Sequence, residues 1–296
     1  MGRLTPLEVL MAVVVPLTWA MGLVFTKGAI SDFPPILLMA FRFLLTALIL
    51  VAFAPLPRGN FLNLFLIAIV GAAIQYSLTF TGLLGLEAGI AAIIVQLEVP
   101  FLVMLGAVLL GERPGLRKWF GIGIAFCGII LMTWQGQFGT SLPSVGLVIG
   151  GAMAWAFGQV MVRRLKDISG LQVTAWVAVF ATPQLFLMSA LFETGQISAV
   201  TRAGFEVWGA VFYMAVIMTA FGYYLWNRLI RRYDVGELAP YLLLLPLFSV
   251  AGGAVLLGER PGLEKLAGGL VILAGVALIT LRSAPNDRTG KDVSDE

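Results

Sequence analysis

The segment Ala-Val-Leu-Leu-Gly-Glu-Arg-Pro-Gly-Leu occurs twice, at 107–116 and at 254–263, so ten identical residues recur at a separation of 147 residues. Each copy follows a long apolar run and precedes a Gly-rich apolar run. Identical segments in equivalent surroundings indicate an internal duplication. Each half should therefore contain the same number of membrane elements, and the parity of that number decides whether the halves are parallel or inverted.

The composition of the chain is that of an integral membrane protein. Hydrophobic residues make up 59% of its 296 residues and charged residues only 12%, whereas an ordinary soluble domain carries about 25% charged residues. A spanning helix needs about 20 apolar residues, so there is room for roughly ten such helices and for no soluble domain. The net charge of +3 comes from basic residues between the apolar runs, which is typical of membrane-protein loops and predicts no nucleic-acid partner.

The scarcity of reactive side chains excludes several enzyme classes. The chain has no histidine and a single cysteine, Cys127. Imidazole-based catalysis, a His or Cys metal cluster and an internal disulfide are therefore excluded, and we expect no metal or cofactor. Cys127 lies in an apolar run and is interpreted as a small core residue.

Ten apolar runs, five in each half, predict an all-α integral membrane protein with ten transmembrane helices. The runs cover approximately 8–30, 34–54, 62–84, 88–110, 117–134, 144–163, 171–192, 205–226, 236–257 and 263–281. The first run ends without a small-x-small cleavage site, which predicts a retained helix rather than a signal peptide. Because five is odd, the sequence predicts two inverted repeats, at 1–136 and 137–282, followed by a polar cytoplasmic tail at 283–296.

The distribution of basic residues predicts the orientation of the chain. If the N-terminus is cytoplasmic, fourteen Lys and Arg residues fall in inner segments and four in outer segments. Cytoplasmic loops carry such an excess, so both termini are predicted to be cytoplasmic. The two copies of the Gly-Glu-Arg-Pro-Gly turn then lie on opposite sides of the membrane. The outer four are Lys27, Arg202, Arg260 and Lys265.

Prolines interrupt the fourth and ninth apolar runs at nearly equivalent positions, Pro100 and Pro246. Proline removes a backbone donor and bends a helix. Membrane helices tolerate such breaks where the freed carbonyls face protein, water or a substrate. Paired interruptions in matching helices therefore point to a transporter's central site.

Several motifs resemble those of the EamA-type exporters of the drug/metabolite transporter superfamily. They are Trp19 followed by Lys27 in the first run, Phe41-Arg42-Phe43 in the second, and the repeated Gly-Glu-Arg-Pro-Gly turn. The resemblance covers approximately 8–282, and within the family the chain is most similar to bacterial exporters of O-acetylserine and cysteine. The chain departs from the pattern of those exporters at Glu98, where they carry an uncharged amide.

This resemblance implies a carrier in the bacterial inner membrane that exports small metabolites, such as amino acids and their derivatives, by alternating access. It also implies use of the proton gradient. The expected partners are a small-molecule substrate and membrane lipid. The expected state is a monomer, with a dimer left open.

Two ionisable residues lie deep inside predicted spans and are the main candidates for function. Glu98 lies near the centre of the fourth run, where a charge costs roughly 2.5–3.5 kcal/mol on insertion scales. It is interpreted as a proton-coupling group or a contact for a substrate ammonium, with a neutral or paired structural acid as the alternative. Arg42 lies in the second run and cannot realistically lose its charge. It is a candidate for binding a substrate carboxylate, or for a structural ion pair in which Glu98 is one candidate partner.

The remaining candidates are polar or aromatic residues inside the apolar runs. On a straight helix Gln96 and Glu98 point about 200° apart, so only a distortion brings both to one cavity. Lys27 is interpreted as a snorkelling lysine or a ligand, and the repeated turns as structural connections whose Glu residues form local ion pairs or hold a neighbouring loop. The predicted substrate-binding set is Trp19, Arg42, Gln75, Tyr76, Thr79, Gln96, Glu98, Trp155, Gln159, Tyr223 and Tyr241.

Three other functions compete with amino-acid export. The many Trp, Tyr and Met residues suit an exporter or facilitator of aromatic amino acids, nucleobases or drugs. An enzyme acting on lipid-linked substrates would need clustered acids, histidines or a metal motif, and none occurs in the sequence. A structural scaffold would not need Glu98 and Arg42 inside the membrane.

Overall fold

A computed structural model describes residues 4–134, 141–165, 168–230, 233, 238 and 241–281. All regular elements in these ranges are helical, which confirms the all-α class. By length and composition, seven helices can cross a membrane, and a helix pair bent by 98° counts as an eighth. The protein is therefore a multi-pass membrane protein, while the count of ten spans stays a prediction. The tail at 283–296 lies outside the described residues.

The helices follow the predicted apolar runs closely. In the first half they are α1 Pro6–Ala29, α2 Pro35–Leu50, α3 Phe61–Ala68, α4 Gln75–Leu83, α5 Ala88–Val95, α6 Glu98–Leu109 and α7 Leu116–Trp134. In the second half they are α8 Leu142–Arg163, α9 Gly170–Phe192, α10 Gln196–Arg202, α11 Phe205–Phe212, α12 Tyr223–Ile230, α13 Leu244–Leu256 and α14 Leu263–Thr280. Helix α10 was not predicted from the sequence, because its polar residues break the apolar pattern between two runs.

Two long helices begin with capping boxes. The Thr5 side chain accepts a hydrogen bond from the Glu8 N–H, and the Glu8 carboxylate accepts one from the Thr5 N–H. Ser169 and Gln172 form the same arrangement at the start of α9. Each box satisfies N–H groups that would otherwise lack a partner in the first turn.

The fourth and ninth predicted spans are broken at equivalent positions. Between α5 and α6, the N–H of Gln96 bonds to the Ile93 carbonyl at 3.1 Å and that of Leu97 to the Ile94 carbonyl at 3.0 Å. These tight bonds replace the α-helical pattern just before Pro100. In the second half, the helix of the ninth span is interrupted at Leu243, immediately before α13. Leu243 lies 147 residues after Gln96.

The third and eighth predicted spans share a second irregularity. A π-helical segment, Ile69–Ile74, joins α3 to α4. Another, Tyr213–Gly222, joins α11 to α12 and contains the positions 147 residues after the first. Wide helical turns of this kind are frequent at functional sites.

The duplicated turns adopt the same conformation. Gly111 and Gly258 both have φ of +68°, a left-handed conformation that glycine adopts without steric cost. In each copy, two N–H groups that follow the helix donate hydrogen bonds to the same carbonyl oxygen, which belongs to Gly106 in the first copy and to Gly253 in the second. This arrangement satisfies the last carbonyls of α6 and α13 and ends both helices in the same way.

The described bundle has two polar ends, which we name after a basic residue at each. The Lys27 end contains Lys27, the start of α5 and the turn at 258–262. The Arg163 end contains Arg163, the turn at 111–115 and the start of α1. Between these ends, apolar residues from both halves form one continuous core. Cys127 is exposed and lies outside this core, so its interpretation as a core residue is wrong.

Candidate functional site

Arg42 lies on α2 and is held by aromatic rings. Its side chain is 5% exposed, and its guanidinium carbon lies 4.8 Å from the ring centroid of Tyr76 and 5.5 Å from that of Phe43. A cation over aromatic faces is stabilised electrostatically. Within the described part of the chain, no carboxylate lies within ion-pairing distance of Arg42, so Glu98 is not its ion-pair partner. A buried charge without a counter-charge is costly, which makes this position suited to an incoming anion.

Gln75 and Thr79 lie beside Tyr76 on α4 but pack against α8. The Gln75 amide donates to the Thr79 hydroxyl at 3.3 Å. A Cβ added to Gly151 would lie 3.2 Å from the Gln75 carbonyl oxygen, so α8 approaches α4 at this level. Both side chains therefore line a helix interface, whereas Tyr76 faces Arg42. Ser77, also on α4, is buried as well, and its hydroxyl has no hydrogen-bond partner among the described residues.

Glu98 and Gln96 flank the break in the fourth span. Both are partly exposed, while Leu97 between them is fully buried. Glu98 begins α6, where the N-terminal end of the helix dipole favours a carboxylate. Among the described residues, none forms a hydrogen bond or an ion pair with the Glu98 carboxylate. The backbone distortion before Pro100 is thus present, while a cavity shared by Gln96 and Glu98 stays a prediction.

Trp19 lies on α1 against the second half of the chain. Its ring centroid lies 6.2 Å from that of Trp226, and a Cβ on Gly222 would lie 2.9 Å from its indole nitrogen. Glycine at this position lets the eighth span approach the ring closely. Tyr241 packs in a separate small cluster around Leu229, towards the Arg163 end.

For three further candidates, no described contact places the side chain beside Arg42 or Glu98. Trp155 is partly buried against the main core. Gln159 is partly exposed, one turn before the end of α8. The side chain of Tyr223 lies outside the described residues.

Lys27 caps the end of a helix at the Lys27 end. Its ammonium donates to the carbonyl oxygens of Leu83 at 2.9 Å and Leu84 at 3.0 Å, where α4 ends. The C-terminal end of a helix carries partial negative charge and unsatisfied carbonyls. Lys27 therefore joins the first span to the third and is anchored rather than free in the lipid interface.

Two carboxylates cap helix N-termini across long sequence separations. Glu193 accepts hydrogen bonds from the N–H groups of Ile36 at 2.7 Å and Leu37 at 3.0 Å. Glu259 accepts from the Ala88 N–H, with both carboxylate oxygens at 2.9 Å. The contact of Glu193 with α2 was not predictable from the sequence, since no local pattern indicates it.

Glu259 has an unusual electrostatic environment. Burial raises the pKa of its carboxyl above the ordinary value of 4.5, and the Ala88 N–H and the Lys27 ammonium oppose this rise without cancelling it. The Glu residues of the repeated turns were predicted either to form local ion pairs or to hold a neighbouring loop. Because Glu259 bonds to the Ala88 N–H at the start of α5, it performs the second role. No group of three or more His, Cys, Asp or Glu residues that could hold a metal occurs within the described ranges.

Comparisons with known proteins agree with this architecture. The EamA-like transporter family matches the chain twice, at residues 6–134 and 142–281. A protein of Salmonella typhimurium (strain LT2) named "Probable amino-acid metabolite efflux pump" is 27% identical over 275 residues, covering 90% of this chain and 92% of its own length. A protein of Escherichia coli (strain K12) with the same name is 27% identical over 277 residues, with the same coverage.

A further relative and a solved structure extend the comparison. An uncharacterized inner membrane transporter of Escherichia coli (strain K12) is 26% identical over 272 residues, covering 89% of this chain and 87% of its own length. A crystal structure at 21% identity matches with a TM-score of 0.60, covering 92% of this chain and 96% of the other, and this likeness concerns the fold alone. Two family matches that together span nearly the whole chain show its membership: the protein is a membrane transporter of the EamA-like family.

Proposed function

We propose that this transporter exports small amino acids or their derivatives, such as cysteine and O-acetylserine, by alternating access. The observation that carries the proposal is the pairing of helix irregularities: breaks in the fourth and ninth spans and π-helical segments in the third and eighth. Broken helices at matching positions of two repeats form transporter binding sites near the middle of the membrane. Arg42 and Glu98 lie beside these irregularities.

The chemistry of these two side chains suits a zwitterionic substrate. Arg42 offers the substrate carboxylate a buried guanidinium that has no ion-pair partner among the described residues. The rings of Tyr76 and Phe43 pack beside this guanidinium. Glu98 offers a partly exposed carboxylate to an ammonium or to a coupling proton. The relatives named as amino-acid metabolite efflux pumps support this substrate class.

The proposal includes a topology of ten spans in two inverted five-helix halves, with both termini in the cytoplasm of a bacterial cell and the protein in its inner membrane. The excess of basic residues on one side supports this orientation. It places the Arg163 end in the cytoplasm and the Lys27 end outside. Rocking of the halves about the central site would open the two ends in turn.

Transport into proteoliposomes tests the proposal. We expect uptake of labelled cysteine and O-acetylserine that a pH gradient stimulates. Glu98→Gln should abolish the stimulation, and Arg42→Lys should weaken substrate binding at least tenfold, because a lysine cannot reproduce the planar two-point contact of a guanidinium with a carboxylate. The exposed residues Glu206 and Arg202 supply matched controls, Glu206→Gln and Arg202→Lys, which should transport as the unmodified protein does.

The same assay separates the competing functions. Uptake of aromatic substrates alone, indifferent to pH and to both Arg42→Lys and Glu98→Gln, would replace amino-acid export by facilitated movement of bulkier solutes. Recovery of a chemically altered substrate would instead indicate an enzyme.

A further inference from the structure

The duplication has produced two equivalent pairs of opposite charges. Glu112 and Glu259 occupy the same position in the two copies of the repeated turn. Lys27 and Arg163 each lie eight residues after the matching Trp in the first helix of their own half. Each pair consists of one acid and one base that lie at the same end of the bundle and belong to different halves of the chain.

At the Arg163 end this pair is formed. The Arg163 guanidinium lies 3.0 Å from the Glu112 carboxylate, and the neighbouring Arg164 donates to the Leu109 carbonyl at 2.7 Å. These contacts tie the end of α8, from the second half, to the turn after α6, from the first half. We call Arg163 with Glu112 the Arg163 latch.

At the Lys27 end the equivalent pair, which we call the Lys27 latch, is separated. Lys27 bonds instead to the carbonyls at the end of α4, and Glu259 to the start of α5. Both side chains line a cleft of about 330 Å³. Glu87 and Lys265, which face the same cleft, approach to 3.4 Å. One copy of the duplicated pair is therefore closed and the other open.

We propose that the two pairs are alternating latches, so that closing Lys27 onto Glu259 accompanies separation of Arg163 from Glu112. This inference rests on the proposed alternating-access function, because inverted halves exchange conformations when the carrier turns over. The structure then represents the state that is closed at the Arg163 end and has its cleft at the Lys27 end.

The exposure of the formed pair suits this role. The Arg163 and Glu112 side chains are 48% and 49% exposed, and an ion pair in contact with water contributes little to stability. A weak latch biases the two states without trapping either, whereas a fully buried pair would hold the carrier in one of them. Changing one charge should therefore shift the population of the two states by a modest factor.

Thiol labelling measures this shift without any substrate. Cys127 is the single cysteine of the chain, so Cys127→Ser gives a background without thiols. Ser141 lines the cleft at the Lys27 end, and Ser141→Cys in that background reports its accessibility to a membrane-impermeant maleimide. Glu112→Lys should repel Arg163, favour closure of the Lys27 end and slow the labelling by about three- to fivefold, the shift expected of an exposed pair.

Two further variants distinguish a latch from a general charge effect. The exchange Glu112→Lys with Arg163→Glu should restore the labelling rate, because it reverses the pair while keeping the attraction. Arg113→Glu changes an exposed charge in the same turn and should leave the rate unchanged. Equal rates for Glu112→Lys and Arg113→Glu, or failure of the exchange to restore the rate, would overturn the proposal.

The reverse change at the other end provides a second, independent arm. Glu259→Lys removes the attraction to Lys27 and should keep the cleft open, so labelling should be at least as fast as in the unmodified background. Slower labelling of this variant would contradict the latch. Because labelling needs no substrate, a failed transport assay would refute the proposed function without altering this result.

Discussion

At the scale of single residues, charged side chains satisfy helix ends that belong to other parts of the chain. Glu193 holds the first two free N–H groups of α2, the helix that carries Arg42. We predict that Glu193→Ala destabilises the protein by about 1–2 kcal/mol, the usual cost of losing a helix cap. Denaturation in detergent, followed by Trp fluorescence, measures this change.

Two control variants test whether the loss of stability comes from the missing hydrogen-bond acceptor. Glu193→Gln keeps an oxygen acceptor and should lose less stability than Glu193→Ala, while Glu206→Ala removes an exposed acid and should change little. Equal stability of Glu193→Ala and Glu206→Ala would show that the cap contributes nothing.

Glu259 makes a pH-dependent contribution to stability. Because its pKa is raised in the folded state, folded protein binds the proton more tightly than unfolded protein. The stabilisation from this group is complete below its ordinary pKa of 4.5 and is lost as pH rises through the raised value. We predict that Glu259→Gln flattens this part of the pH dependence of the unfolding midpoint, measured from pH 4.5 to neutral. A curve that remains unchanged in the variant would contradict the assignment.

At the scale of helices, glycine sets how closely two spans approach. A Cβ on Gly158 would lie 2.6 Å from the Gly71 Cα, and one on Gly71 would lie 3.2 Å from the Gly158 Cα. Backbone cannot move aside as a flexible side chain can, so we predict that Gly158→Ala costs about 1–3 kcal/mol, as overpacking does.

The same helix provides the matched control for this prediction. Gly146 also lies on α8, but a Cβ added there meets nothing within 4 Å. Gly146→Ala should therefore be neutral or slightly stabilising, since alanine is the better helix former. The pair should be compared by thermal unfolding in detergent, and equal midpoints would refute the close approach of α8 to the third span.

At the scale of the whole molecule, the orientation of the chain can be measured directly. The excess of basic residues predicts cytoplasmic termini and an external segment around Gly195, between α9 and α10. A fluorescent protein fused to the C-terminus should fluoresce, and alkaline phosphatase fused after Gly195 should be active. The opposite pair of results would invert the topology and exchange the sides assigned to the two latches.

The sequence by itself determined the duplication, the helical class, the family and the positions of the apolar helices. These features depend on composition and on identity between segments, which are properties of the chain read along its length. The broken fourth span was also predictable, because Pro100 lacks the N–H that continues a helix. The α-helical hydrogen-bond pattern is interrupted at Gln96, four residues before Pro100, as the missing N–H of a proline predicts.

Only the tertiary structure decided which residues meet. Near-continuous apolar runs carry little periodicity, so they do not reveal which face of a helix is buried. Gln75 and Tyr76 are adjacent in sequence, yet one lies against α8 and the other against Arg42. The caps formed by Glu193 and Glu259 span 157 and 171 residues, and contacts at such separations depend on how the helices pack rather than on any local pattern.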